Sequence, residues 1–141
     1  MVKPTETDSQ LLLSLQPSSD GLSLLVEDDD QIASLITLIL GRVHRRVLRA
    51  RDCSSGLKLF EEHRPGIDLV IVDSLLPDGD GGLLCHQLRA ERPNLPVLLT
   101  SGRDQSRLAS LMKGGATAFL PKPFLPTDVE RNIVGLLTVN A

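Results

Sequence analysis

From Ile67 to Gly81 the chain reads IDLVIVDSLLPDGDG: an apolar, β-branched run that ends on an ionisable residue, Asp73, and passes into a Pro/Gly-rich turn. A run that is apolar on consecutive rather than alternate positions cannot leave one face in water. It reads as a strand buried on both faces, as in a parallel sheet. Parallel neighbours need crossover connections, so helices must be supplied by the rest of the chain. A carboxylate at the carboxyl end of such a strand lies where open α/β sheets hold ligands. Aspartate also caps strands and opens turns with no chemistry attached. The choice between these depends on what ends the other strands.

The flanking sequence supplies the alternation. Leu22 to Val26 is a first strand, followed by Asp30 to Arg42 with Ile32, Leu35, Ile36, Ile39 and Leu40 at helical spacing. Arg46 to Ala50 is a short second strand, polar enough for a sheet edge. Ser54 to His63 reads as a helix stopped by Pro65, with Leu57, Leu59 and Phe60 facing in; its interior Gly56 carries the usual penalty of about 1 kcal/mol. The third strand covers Asp68 to Val72. A helix over Gly82 to Glu91, with Leu83, Leu84 and Leu88 on one side, leads to a fourth strand at Pro96 to Thr100. Asp104 to Lys113 reads as a helix closed by Gly114 and Gly115, Thr117 to Leu120 as the fifth strand, and Pro126 to Leu137 as the last helix, with Val129, Ile133, Leu136 and Leu137 on its face. Five strands alternating with five helices predict a three-layer α/β/α sandwich around a five-stranded parallel sheet. Residues 1–21, ending in QPSSDG, read as an extension and linker, which leaves 22–141 as one domain.

Composition narrows the function classes. Hydrophobic residues make up 41% of 141, an ordinary globular proportion, but aromatics only 2%, with no Trp and no Tyr. The core is therefore aliphatic, and stacking platforms for single-stranded nucleic acid are lacking. A net charge of −3 provides no global attraction for DNA or an anionic membrane. No apolar run is long enough to span a bilayer, and the polar start lacks a secretory pattern, so a cytoplasmic location is expected. Cys53 and Cys85 are isolated and read as reduced, small hydrophobes.

In a parallel sheet all the carboxyl ends share one edge. The first strand ends in Glu27, Asp28, Asp29 and Asp30, the third in Asp73, the fourth in Thr100 and Ser101, and the fifth in Pro121, Lys122 and Pro123. Topology thus brings together an acid cluster, a hydroxyl and a lysine. Acids favour the first turn of a helix, which accounts well for Asp29 and Asp30 and less well for Glu27 and Asp28. Clustered carboxylates with no His or Cys among them suit Mg²⁺, which takes one or two protein carboxylates and completes its shell with water and phosphate oxygens. A carboxylate in that setting can act as nucleophile toward a phosphoryl group, with Thr100 and Lys122 as a hydroxyl donor and a fixed charge for the phosphoryl oxygens.

These segments, together with Leu76 to Gly81 and Gly114 through Phe124, resemble the receiver domain of two-component response regulators, the CheY-like superfamily, in the right order over about residues 22–138. The resemblance implies a flavodoxin-like fold with strand order 2-1-3-4-5. It implies Asp73 as phosphoacceptor, Asp28 as the principal Mg²⁺ carboxylate with Glu27 as its outer or water-mediated partner, and the backbone carbonyl of Leu75 as a further ligand. Lys122 would pair with the phosphoryl group, and its bond to Pro123 would be cis. Thr100 and Phe119 would form the switch, Phe standing where Tyr is commoner. Their shift would alter a face built from the fourth helix, fifth strand and last helix, roughly Gln105 to Met112, Ala118 to Leu120 and Asp128 to Leu137. A histidine kinase or phosphotransfer protein is the implied donor, and a homodimer through that face is one implied arrangement. The chain would be a signalling domain with only intrinsic self-phosphorylation and dephosphorylation, and with no direct contact to nucleic acid or membrane. A free-standing regulator and a receiver piece of a hybrid kinase or larger regulator remain equally open.

Two other readings compete. An aspartate-nucleophile phosphatase would carry a second acid two residues after the nucleophile, where this chain has Leu75. An unphosphorylated interaction module would have no use for Glu27, Asp28, Asp73, Thr100 and Lys122 together. Three departures stand out: Ser74 follows the acceptor, Pro121 precedes the lysine, and Leu125 replaces a polar cap before Pro126. The basic run of Arg42, His44, Arg45, Arg46, Arg49 and Arg51 reads as a charged edge strand that blocks edge-to-edge pairing.

Overall fold

Consecutive apolar residues in the strands become a sheet covered on both sides. In the computed structural model, which describes residues 21–102 and 116–139, the strands of the main sheet are β1 (Leu22–Val26), β2 (Arg46–Ala50), β3 (Ile67–Asp73), β4 (Val97–Ser101) and β5 (Thr117–Pro121), and Leu75–Leu76 and Gly79–Asp80 form a separate short antiparallel ribbon. The helices are α1 (Asp30–Arg42), α2 (Cys53–His63), α3 (Gly81–Glu91) and α4 (Pro126–Val139). All neighbouring strands of the main sheet are parallel, in the order β2-β1-β3-β4-β5. That is the expected flavodoxin-like order, with the polar β2 at an edge. The helix expected over Asp104 to Lys113, its closing glycines and residues 1–20 of the extension lie outside the described residues.

Side chains alternate across the sheet and feed two aliphatic cores. Val26, Val70, Val72, Val97 and Leu99 meet Phe60, Leu84, Cys85 and Leu88 on one face. Leu25, Leu69, Ile71 and Leu98 meet Ile36, Leu40, Val129 and Ile133 on the other. The inward side of α3 is Leu84, Cys85 and Leu88; Leu83, expected to face in, is 51% exposed. Gly56 does not break α2. A Cβ there would stand 2.9 Å from Val26 Cγ2, so the missing side chain lets α2 lie close against β1.

Local capping sets the helix starts. Asp29 accepts from the Ile32 N–H at 3.0 Å, and Asp52 from the Ser55 N–H at 2.8 Å, which starts α2 at Cys53, one residue earlier than the hydrophobic pattern predicts. The apolar Leu125 ahead of α4 does not leave that helix uncapped at its first peptide: Asp128 Oδ2 accepts from the Leu125 N–H at 3.0 Å, the return half of a capping box.

Arginines fasten the amino edge of the sheet. The Arg45 side chain is wholly buried, donating from Nε to Ser23 Oγ at 2.8 Å and pairing through Nη2 with Asp68. Arg89 donates to the Leu95 carbonyl at 3.1 and 2.9 Å and reaches the Ala116 carbonyl, while Arg92 donates to the carbonyls of Arg64 and Ile67. The basic run is therefore not merely an edge guard. Arg45 is an interior fastener, and Arg49 and Arg51 turn toward the acids at the opposite edge.

Candidate functional site

Because β1, β3, β4 and β5 run the same way, their last residues meet at one edge. Carboxylate oxygens of Glu27, Asp28 and Asp73 lie within 4.8 Å of one another. Glu27 is 1% exposed and Asp73 6%, whereas Asp28 is exposed. Asp73 sits in register with Thr100 on the neighbouring strand. Its Oδ1 accepts from the Leu75 N–H at 3.1 Å, and its Oδ2 accepts from Lys122 Nζ at 2.7 Å. The same Nζ is 3.5 Å from Glu27 Oε1. The Lys122 main-chain N–H donates to the Ser101 carbonyl at 2.8 Å, which pins the exit of β5 beside β4, and the Lys122–Pro123 peptide is cis.

The backbone around these groups is held from several sides. The Ser74 N–H donates to the Thr100 carbonyl at 2.8 Å, and the Gly81 N–H to the Ser74 carbonyl at 2.9 Å. Gly81 rests directly on Asp73: a Cβ on it would overlap the Asp73 carbonyl oxygen and come within 2.7 Å of Val72 Cγ1. Only glycine allows α3 to begin there. Five residues after Asp73, the Asp78 carboxylate accepts from the N–H groups of Cys53 and Ser54 at 2.7 and 3.0 Å, tying the loop that follows β3 to the start of α2.

Burial pushes the Glu27 carboxyl up to about 7; the nearby Asp73 charge adds to this, and the Asp29 N–H and Lys122 pull down only in part. Burial alone would lower the Lys122 ammonium, but its bond to Asp73 and the charges of Asp73 and Glu27 hold it above its ordinary value. Thr100 is 1% exposed, and its Oγ1 is buried without a hydrogen-bond partner. Buried hydroxyls in folded proteins nearly always have a partner, which sets Thr100 apart. Three oxygen-only donors, one of them a carboxyl reluctant to ionise without more positive charge, fit a hard divalent cation.

The structure thus brings Glu27, Asp28, Asp73, Thr100 and Lys122 together. Leu75, two residues after Asp73, lies in a short antiparallel ribbon, paired with Asp80, with its side chain exposed. Phe119 lies on β5 opposite Leu99, half-buried against the core rather than in the acid cluster. Of the expected switch face, Ala118 to Leu120 and Asp128 to Leu137 are described; Gln105 to Met112 lie outside the described residues. Sequence reasoning gave no site role to Arg49, Asp78 or Gly81. The glycine had a signal in the DGDGG turn, but the two charged residues had none beyond their type.

A family profile described as "Response regulator receiver domain" matches residues 23–134. The alkaline phosphatase synthesis transcriptional regulatory protein PhoP of Bacillus subtilis is 32% identical over 115 residues, covering 81% of this chain and 47% of that protein. The transcriptional regulatory protein AfsQ1 of Streptomyces coelicolor is 37% identical over 114 residues, covering 81% and 50%. The chain therefore spans about half the length of these curated relatives. Among solved structures, the receiver domain of the hybrid histidine kinase CckA is 32% identical with a TM-score of 0.70, covering 83% of this chain and 99% of that one.

Proposed function

Because the chain belongs to the response regulator receiver domain family, whose members are signalling domains that meet histidine kinases or phosphotransfer proteins, we propose that Asp73 is its phosphoacceptor. The observation that carries this is the setting of that one carboxylate: buried, bonded to Lys122 at 2.7 Å, and in register with Thr100, whose buried hydroxyl has no partner. An Asp73 carboxylate oxygen attacks the phosphorus of a phosphohistidine. The P–O bond forms as the P–N bond breaks, and the departing imidazole takes up a proton. Lys122 supplies a fixed positive charge to the phosphoryl oxygens, and Thr100 donates its hydroxyl to one of them.

Glu27, Asp28, Asp73 and the Leu75 carbonyl would hold Mg²⁺. When bound, the ion neutralises charge on the phosphoryl oxygens. Glu27, held near 7 by burial, becomes the group whose ionisation most depends on added positive charge. Thr100 moving toward the new phosphoryl group would let Phe119 follow inward. This would alter the face formed by Ala118 to Leu120 and Asp128 to Leu137, which would meet the next partner or a second copy of the chain. Residues 22–141 would act as the receiver unit, with 1–21 as an extension and linker. The domain would catalyse only its own phosphorylation and hydrolysis. Among the described residues no helix is long and apolar enough to cross a membrane, and a cytoplasmic setting would suit the two unpaired cysteines, Cys53 and Cys85.

Beryllofluoride, which mimics an aspartyl phosphate, tests the assignment. Binding that requires Mg²⁺ and disappears in Asp73→Asn is expected. Equal binding by Asp73→Asn, or none by the wild type, would overturn it.

A further inference from the structure

The acid loop is held by a residue that belongs to neither the strand it leaves nor the helix it enters. Arg49, on edge strand β2, reaches over the end of β1. Its Nε and Nη2 donate to the main-chain carbonyl of Glu27 at 3.1 and 2.8 Å, and its Nη1 donates to Asp30 Oδ1 at 2.8 Å. From the same strand, the Ala50 carbonyl accepts the Glu27 N–H at 3.0 Å. The carbonyl gripped by the guanidinium belongs to the peptide that joins Glu27 to Asp28. That unit is planar, so fixing its oxygen fixes the direction in which the chain enters Asp28. A guanidinium with its Nε and Nη2 on one oxygen sets both position and plane, which a single ammonium donor does not do.

Resting on the reading of Glu27, Asp28 and Asp73 as a divalent-cation site, we infer that Arg49 is a positioning residue for that site: by clamping the Glu27–Asp28 peptide it brings the exposed Asp28 carboxylate against the two buried ones. The peptide that leaves Asp28 is held more lightly, by the Asp29 N–H donating to Glu27 Oε2 at 3.2 Å, and Arg51 acts on Asp28 through its charge. The Asp28 side chain is in water and unrestrained by burial, so its place in the cluster is set by the backbone beneath it. Arg49 does this through a main-chain atom and leaves the carboxylate oxygens of the site uncovered.

The sign of the effect separates this role from a simple charge. A positive charge beside an acid cluster weakens cation binding, so a residue acting only through its charge would tighten binding when neutralised. A residue that positions a ligand weakens binding when lost, commonly 10–100-fold for groups that orient metal ligands. Arg51 is the built-in control, because it makes the same Asp30 ion pair at 2.7 Å and, among the described residues, has no bond to the Glu27 carbonyl.

The experiment is calorimetric titration of Mg²⁺ into the 141-residue chain and into Arg49→Lys, Arg49→Gln and Arg51→Gln, with thermal unfolding of each measured in EDTA. Both Arg49 variants should bind Mg²⁺ about 10-fold more weakly while remaining folded in EDTA, whereas Arg51→Gln should bind as tightly as the wild type or more so. Wild-type affinity in Arg49→Lys with tighter binding in Arg49→Gln would leave Arg49 as a charge only and overturn the inference. So would a loss of affinity that merely tracks the unfolded fraction. Absence of Mg²⁺ binding by the wild type would overturn the cation-site reading itself, which is a different result. If Arg49→Gln does not fold, Arg49→Lys, which keeps the charge and loses the fork, still decides.

Discussion

Thr100 stands in register with Asp73 across β3 and β4, yet its buried hydroxyl makes no hydrogen bond. An unsatisfied buried hydroxyl costs about 1–3 kcal/mol. The resting fold therefore tolerates at Thr100 a penalty that a phosphoryl oxygen would remove. Thr100→Val keeps the shape and deletes the hydroxyl. It is expected to raise stability by about 1 kcal/mol, read from the urea midpoint, while weakening beryllofluoride binding. A lower midpoint would mean the hydroxyl already has a use in the resting state.

Lys122 is the nearest compensating charge for two buried carboxylates. Removing one partner of a fully buried pair costs about 3–5 kcal/mol; this edge is open to water, so Lys122→Met is expected to lose about 1–3 kcal/mol in EDTA. Millimolar Mg²⁺ should recover part of that loss and should raise the wild-type midpoint as well. An unchanged EDTA midpoint would sink the account.

Gly81→Ala places a methyl on the Asp73 main chain. The end of β3 or the start of α3 has to move, and a loss of about 1–3 kcal/mol or more is expected. The amide signals of Asp73 and Ser74 should shift most in a two-dimensional NMR spectrum. A variant as stable as wild type with unmoved signals would show that the contact relaxes freely.

Asp78 sets a pH dependence in the acid range. The N–H groups of Cys53 and Ser54 hold its carboxyl below the ordinary 3.8. As pH falls, the unfolded chain takes up the proton first. The stabilisation is thus complete above about 3.8 and is lost as pH drops through the lower folded value. The midpoint difference between wild type and Asp78→Ala should be constant above pH 5 and shrink below 3.8. A gap that does not change with pH would remove the capping bond from the explanation.

The five parallel strands and the acid edge were legible in the sequence because each rests on pattern, whereas the strand order came from the resemblance to receiver domains. Residues 69–72 are apolar at consecutive positions, and parallel topology then brings the strand ends that carry Glu27, Asp73, Thr100 and Lys122 to one edge. Leu83 was misplaced because it lies in the first turn of α3, where one residue of helical phase separates it from Leu84 and Cys85. Arg45 and Arg49 were hidden for another reason. An arginine's stem is long enough to go inward or outward, and its partners are carbonyls and hydroxyls whose positions exist only after folding. The same holds for Asp78, whose two N–H partners lie some 25 residues back in the chain.

Arg89 and Arg92 grip Leu95, Ala116, Arg64 and Ile67 by their main-chain oxygens. Every amino acid carries that atom, so the accepting side of each contact is anonymous and the donating side is not. Drift at Leu95 or Ala116 leaves the grip intact, while no exchange at Arg89 reproduces a planar fork at that reach. Tolerance to mutation is thus lopsided across each of these contacts. Descendants of this chain could change much of the amino edge's lettering, provided the few guanidinium groups that read its backbone stayed in place.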